Sequence, residues 1–200
     1  MSMDAVALAA FGVFALLDWL AVSRSVRTLE YVAKPATLLA LLVYAGCGHP
    51  SPWLLAALAF SLLGDVLLML PADLFLAGLA AFLVAHLAYI GAFAGPVMPR
   101  LVWLAAVIGV LAPVAARILR AVPDRTLRTP VAVYSLAISL MVASALASTS
   151  TVAIAGAVLF LVSDMLIAWN RFVHPRPWAP LAIIVTYHLG QLGLATALRG

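Results

Sequence analysis

Long apolar runs, interrupted only by short turns, constrain this chain more than any other feature. A helix crossing the hydrocarbon of a bilayer needs about 20 apolar residues. Eight runs approach or reach that length, at roughly 4–22, 32–47, 53–70, 74–95, 101–119, 130–148, 152–172 and 178–198. The second is the shortest. Only 9% of the residues are charged and 66% are hydrophobic, against about 25% charged in a typical soluble domain. A water-soluble fold of this size would have to wear much of that hydrocarbon on its surface. The solvent is therefore a membrane, where backbone polar groups must be satisfied internally and the runs must be helices. A β-barrel is excluded because its strands would alternate. The expected fold is all-α: one transmembrane domain over residues 1–200, built as an eight-helix bundle. The first run starts at Asp4 with no basic segment before it, so it reads as a retained helix rather than a cleaved leader.

Turn chemistry supports the division. Pro35 and Pro130 suit first-turn positions, and Asp73 and Thr129 suit the caps of the fourth and sixth helices. "GHPSP" and "GPVMP" read as turns, and Pro113 should kink the fifth helix. "GAFAG" (Gly91 to Gly95) matches the small-residue helix-packing pattern weakly. Cys47 is the only cysteine, so no intramolecular disulfide forms, and a buried thiol is expected.

Positive charge is asymmetric. Arg24, Arg27, Lys34, Arg117, Arg120, Arg125, Arg128, Arg171 and Arg176 fall on the side of the odd-numbered loops, and only Arg100 and Arg199 on the other. The positive-inside rule then places the odd-numbered loops in the cytoplasm and both termini outside, in the cell membrane if the source is bacterial. The net charge of +4 fits anchoring to anionic headgroups and implies no nucleic-acid partner. Trp19, Trp53, Trp103, Trp169 and Trp178 lie near helix ends, as an interfacial belt would require. Nothing in the sequence sets an oligomeric state.

Two acidic residues break the apolar runs: Asp65 in "SLLGDVLLML" and Asp164 in "FLVSDMLIAW". Together with "RTLEYVAKP" against "RTLRTP", and a histidine helix after each acid, they suggest a parallel four-plus-four repeat. At 1.5 Å per residue the acids lie about 8 and 12 Å from the cytoplasmic ends of their helices. An intramembrane carboxyl is costly and usually faces the bundle interior or a wet cavity. Two carboxyls brought together would tend to share a proton, with one donating and the other accepting. The plain alternative is interhelical hydrogen bonding. His86 and Tyr89 share a helix face, as do His188 and Gln191; Tyr134 and Ser163 are further polar candidates. Lys34 is either a snorkelling interface lysine or a contact for a lipid phosphate. Asp18 and Glu30 read as solvated, or paired with Arg24, Arg27 or Lys34. A zinc site from Asp65, His86, Asp164 and His188 has no HExxH or paired-cysteine spacing behind it, so no metal or cofactor is expected.

"KP" at Lys34–Pro35, "GDVLLM" at Gly64–Met69, the following Phe…Gly…His…Tyr helix, "PVAVYSLAISLM" at Pro130–Met141, "GAVLFLVSD" at Gly156–Asp164 and "YHLGQ" at Tyr187–Gln191 resemble the YhhN family of integral membrane proteins, the family of lysoplasmalogenase. The resemblance implies hydrolysis of the vinyl ether of a lysoplasmalogen to a fatty aldehyde and a glycerophospho-alcohol, with a lysophospholipid as substrate. On that reading Asp65 and Asp164 divide the acid and base roles, as carboxyl pairs do in glycosidases. His86, Tyr134 or His188 would orient water, and Lys34, Tyr89, Ser163 and Gln191 would line the substrate. Three competing readings use the same acids differently: a small transporter or channel with proton or cation sites, a hydrolase of another lipid or an epoxide, and a non-catalytic lipid-binding scaffold.

Overall fold

The structure is a computed structural model and describes residues 2–93 and 95–200. Among these residues all regular structure is helical: α1 (Met3–Ser23), α2 (Arg27–Gly46), α3 (Pro52–Met69), α4 (Phe75–Ala92), α5 (Val97–Ala121), α6 (Arg125–Ser148), α7 (Thr151–Phe172) and α8 (Ala179–Leu198). All eight are long and apolar enough to cross a membrane, so the chain is an integral, multi-pass membrane protein. Large apolar side chains cover its flank, Val110 at 77% and Val13 at 56% exposed among them, where lipid replaces water as the contact.

Three helices, α2, α5 and α6, begin about one turn earlier than hydropathy indicates. α2 starts at Arg27 and α6 at Arg125, so Pro35 and Pro130 are interior residues rather than first-turn ones. Their missing N–H groups leave the Tyr31 and Thr126 carbonyls without helical partners. The added turns of α2 and α6 are "RTLE" and "RTLRT", which sit at the polar end of their helices, where an apolar-run criterion cannot see them. Asp124, not Thr129, caps α6, its carboxylate accepting from the Thr126 N–H at 2.8 Å. That bond to Thr126 holds the Asp124 carboxyl below the usual carboxylate range. Ser51 and Ser150 cap α3 and α7 through their hydroxyls. Asp73 caps nothing; it pairs with Arg171 at 3.1 Å. Cys47 is exposed at the end of α2, contrary to the buried thiol expected.

Consecutive helices pack against each other except α4 and α5, α4 packing on α6 instead, and α8 also touches α1, α2 and α3, which closes the bundle. The tightest joint is between α7 and α8, where Gly156 faces Gly190 and Gly193. A Cβ on Gly156 would lie 2.7 Å from the Leu194 amide nitrogen. "GAFAG" plays no such part: Gly91 faces the Trp53 ring, and Gly95 has φ +132° in a turn. On one face of the bundle the His49 N–H donates to the Arg199 carbonyl at 2.8 Å, and Arg199 reaches Asp4 at 3.4 Å. Both chain ends and the α2–α3 turn therefore share that face. The α1–α2, α3–α4 and α7–α8 connections lie on the other, where Arg171 ties α7 to Asp73.

Candidate active site

A cavity of about 690 Å³ opens among the α1–α2 connection, α3, α7 and the start of α8. Asp65 and Asp164, nearly a hundred residues apart in sequence, both line it, and Arg27, Glu30, Lys34 and Arg171 rim it. Asp65 is buried, and the Asp164 side chain is 11% exposed. The Lys34 ammonium lies 3.1 Å from Glu30 Oε1, so one of the partners expected for Glu30 is the one it has.

The two acids each accept a bond from a tyrosine hydroxyl but differ in what stands behind it. Around Asp65, Tyr89 O–H donates to Gln191 Oε1, Gln191 Nε2 donates to the Tyr187 oxygen at 3.2 Å, and Tyr187 O–H donates to Asp65 Oδ2 at 2.7 Å. Each donor points towards Asp65, the arrangement that favours an ionised carboxylate. Tyr89 and Gln191 are thus buried behind the cavity and reach it through Tyr187. Tyr187 was missed as a candidate, although it stands four residues, about one helical turn, before Gln191.

Asp164 has different neighbours. Tyr134 O–H donates to its Oδ2, and His86 Nε2 lies 3.6 Å from the same oxygen. His86 Nδ1 is 2.6 Å from the Phe82 carbonyl. A carbonyl only accepts, so Nδ1 carries a hydrogen and a neutral ring leaves Nε2 bare. A bare nitrogen facing an ionised carboxylate in a dry interior would set lone pair against lone pair. A proton on either group, as carboxylic acid beside imidazole or as imidazolium beside carboxylate, would relieve that opposition. The Phe82 and Phe160 rings wall this pair, with Phe160 4.9 Å from the His86 centroid. Ser163 lines the cavity, but its hydroxyl is committed to the Ile183 carbonyl at 3.1 Å.

His188 does not join this group. It is fully buried against α1, where Trp19 Nε1 donates to its Nδ1 at 3.1 Å. An indole N–H only donates, so in the neutral ring the hydrogen is on Nε2, which faces Asp18 Oδ2 at 3.8 Å. Asp18 is 0% exposed, and neither of its oxygens has a hydrogen-bond partner. It is neither solvated nor paired with Arg24, Arg27 or Lys34, as its position near the basic loop suggested. Trp19 likewise holds a buried histidine, whereas Trp53 and Trp178 are exposed as belt residues. The two Asp–His pairs have similar spacing and opposite tautomers. A strict four-plus-four relation would set His188 against Asp65; its neighbour Tyr187 stands there instead.

Comparison with known proteins gives the arrangement a family. No solved structure matches the chain. Lysoplasmalogenase TMEM86B of Homo sapiens is 38% identical over 154 residues, covering 76% of this chain and 66% of the human protein. TMEM86B of Rattus norvegicus is 37% identical over 170 residues, covering 83% and 71%. A lysoplasmalogenase of Mycobacterium bovis is 38% identical over 155 residues, covering 70% and 59%. The aligned region thus spans between about three fifths and seven tenths of these relatives. The family model matches residues 29–198, which takes in Asp65, Asp164, Glu30, Lys34 and Arg171 but leaves Arg27 of the rim, and α1 with Asp18 and Trp19, outside. This chain belongs to the YhhN family.

Proposed function

We propose that this protein is a membrane-embedded lysoplasmalogenase that hydrolyses the vinyl ether of a lysophospholipid at the Asp65–Asp164 cavity. One observation carries the reading: two intramembrane carboxyls, one backed by a Tyr187–Gln191 chain and the other beside His86, line one basic-rimmed cavity in a chain whose relatives bear that name. A vinyl ether is opened by adding a proton to its β-carbon, and the resulting oxocarbenium ion is then trapped by water. The Asp164–His86 pair is the proton donor. Asp65, turned into an acceptor by Tyr187, supports the cation and takes a proton from the attacking water. The hemiacetal hydroxyl then returns a proton to Asp164, while Asp65 protonates the departing glyceryl oxygen. One water is consumed, aldehyde and glycerophospho-alcohol leave, and both acids regain their starting states.

Lys34 and Arg27 offer the phosphate its charge partners at the mouth. The mouth belongs to the face bearing the α1–α2, α3–α4 and α7–α8 connections. The excess of Arg and Lys on that side supports a cytoplasmic orientation, with both termini on the opposite side. Tyr134 orients Asp164; His188 has no part in the chemistry and braces α8 against α1.

Purified protein in detergent, where no gradient exists, should release aldehyde from lysoplasmalogen. Asp65→Asn and Asp164→Asn should each lower kcat by about 10²–10⁴-fold, the usual span of general acid–base catalysis. Full activity in either variant removes that residue from the mechanism. Gradient-driven uptake by liposomes without aldehyde release would replace the enzyme with a transporter.

A further inference from the structure

A second, smaller cavity of about 90 Å³ lies between α4, α5, α6 and α7. Its walls include Leu79, Leu111, Ala115, Ile138, Met165 and Ala168. The polar residues on it are Tyr134, Ser135, Ser139 and Asp164. Ser135 and Ser139 donate to the Val131 and Ser135 carbonyls one turn back, at 2.8 and 2.7 Å, so their hydroxyls are spent on their own helix. Tyr134 spends its hydroxyl on Asp164. What the slot presents is hydrocarbon, with one carboxyl at its inner end.

The slot and the large cavity share Leu68, Phe75, Phe82, Asp164 and Ile167. Asp164 thus stands where a polar chamber meets an apolar one, whereas Asp65 lines the polar chamber alone. A single-chain vinyl ether lipid has the same division. Glycerol and phosphate lie on the oxygen side of the scissile group, and an unbranched hydrocarbon begins at the β-carbon.

We propose that the α4–α7 slot is the binding site for the alkenyl chain of the substrate, and that Leu111, Ala115, Ile138 and Ala168 set the chain length accepted. The inference rests on the lysoplasmalogenase reading. It fixes the orientation of the lipid: with the chain in the slot and the phosphate at Lys34, the β-carbon falls beside Asp164. The oxygen-bearing carbon faces the chamber that holds Asp65. α5 has only Ile118 buried, so the slot is covered towards the lipid by the helix least committed to the bundle.

The test compares kcat/KM for lysoplasmalogens with 8-, 12- and 18-carbon alkenyl chains in wild type, Ala115→Phe and Ala168→Phe. Filling the slot should lower the 18-carbon over 8-carbon ratio at least tenfold, with choline and ethanolamine head groups still discriminated as in wild type. An unchanged profile, or an equal loss for every chain length, overturns the proposal. Aldehyde release by wild type is measured first, so failure of the enzymatic reading is seen separately. The slot is tested independently with wild-type protein and a saturated alkyl-ether lysophospholipid carrying a diazirine mid-chain. Photolabelling should fall on residues 111–118 and 138–139. Labelling confined to other helices, or equal labelling there by a diacyl phospholipid carrying the same group, overturns it as well. This arm still decides the matter if the phenylalanine variants do not fold.

Discussion

Gly156→Ala shifts Asp164 and the tyrosine that bonds Asp65 without touching either acid. The new methyl carbon would lie 2.7 Å from Leu194 N, 2.9 Å from Gly193 C and 3.0 Å from Gly190 O. These are backbone atoms of α8 and cannot rotate aside. Relaxed carbon contacts lie at about 3.5–4.0 Å, so α7 and α8 must separate by roughly 0.8 Å or more. A gap of that size forfeits about a quarter to a half of each dispersion contact along the joint. Overpacking of this kind costs about 1–3 kcal/mol, a fall of roughly 2–12 °C in Tm for a chain of this length. The catalytic effect should exceed the stability effect. α7 carries Asp164 and α8 carries Tyr187, whose hydroxyl lies 2.7 Å from Asp65. Moving reacting groups by 1 Å can cost about 10²-fold. Thermal unfolding in detergent and aldehyde release by the folded fraction give the two readouts. Gly109→Ala is the control, because a Cβ there meets nothing within 4 Å; it should leave activity unchanged and raise helix stability by up to about 1 kcal/mol. If Gly156→Ala matches Gly109→Ala in both Tm and rate, the direct backbone joint does not position the site and the reasoning fails.

Tyr187→Phe removes the donor to Asp65, so kcat should fall about 10–150-fold, the equivalent of 1.5–3 kcal/mol for a bond to a charged group; a change below threefold would show that Asp65 does not depend on it. Lys34→Met should raise KM by about tenfold with kcat nearly constant, the signature of uniform binding, and a fall in kcat alone would move Lys34 from phosphate recognition into the chemistry. Asp18→Val and His188→Leu should be non-additive in thermal unfolding by about 0.5–3 kcal/mol, as expected for groups in one buried pair. Strict additivity would mean that the 3.8 Å approach carries no coupling.

The eight helices were legible because a membrane span is written in composition, which needs no knowledge of neighbours. Their polar ends were not: the "RTLE" and "RTLRT" turns of α2 and α6 are helical at the interface, and hydropathy stops where the charges begin. The acid pair was legible for a physical reason, since an intramembrane carboxyl needs an interior to face. Asp18 carried the same signal, inside the first apolar run, but the basic residues following it gave an easy solvated reading. Only the packing of α1 on α8 removes that option. Tyr187 and His188 are neighbours whose roles depend on helix rotation. Adjacent residues on a helix point about 100° apart, so whether Tyr187 or His188 meets Asp65 depends on the rotation of α8. That rotation is set by Gly156, Gly190 and Gly193, which look unremarkable in a chain rich in small residues.

The sparse attachment of α5 also bears on how fast the enzyme can be supplied. A lipid that enters beside this helix stays in its own leaflet throughout, so no hydrocarbon has to be wetted on the way to Asp164. Turnover would then follow the mole fraction of substrate in the surrounding membrane, and diluting the vesicles in buffer at fixed lipid composition would leave the rate per enzyme unchanged.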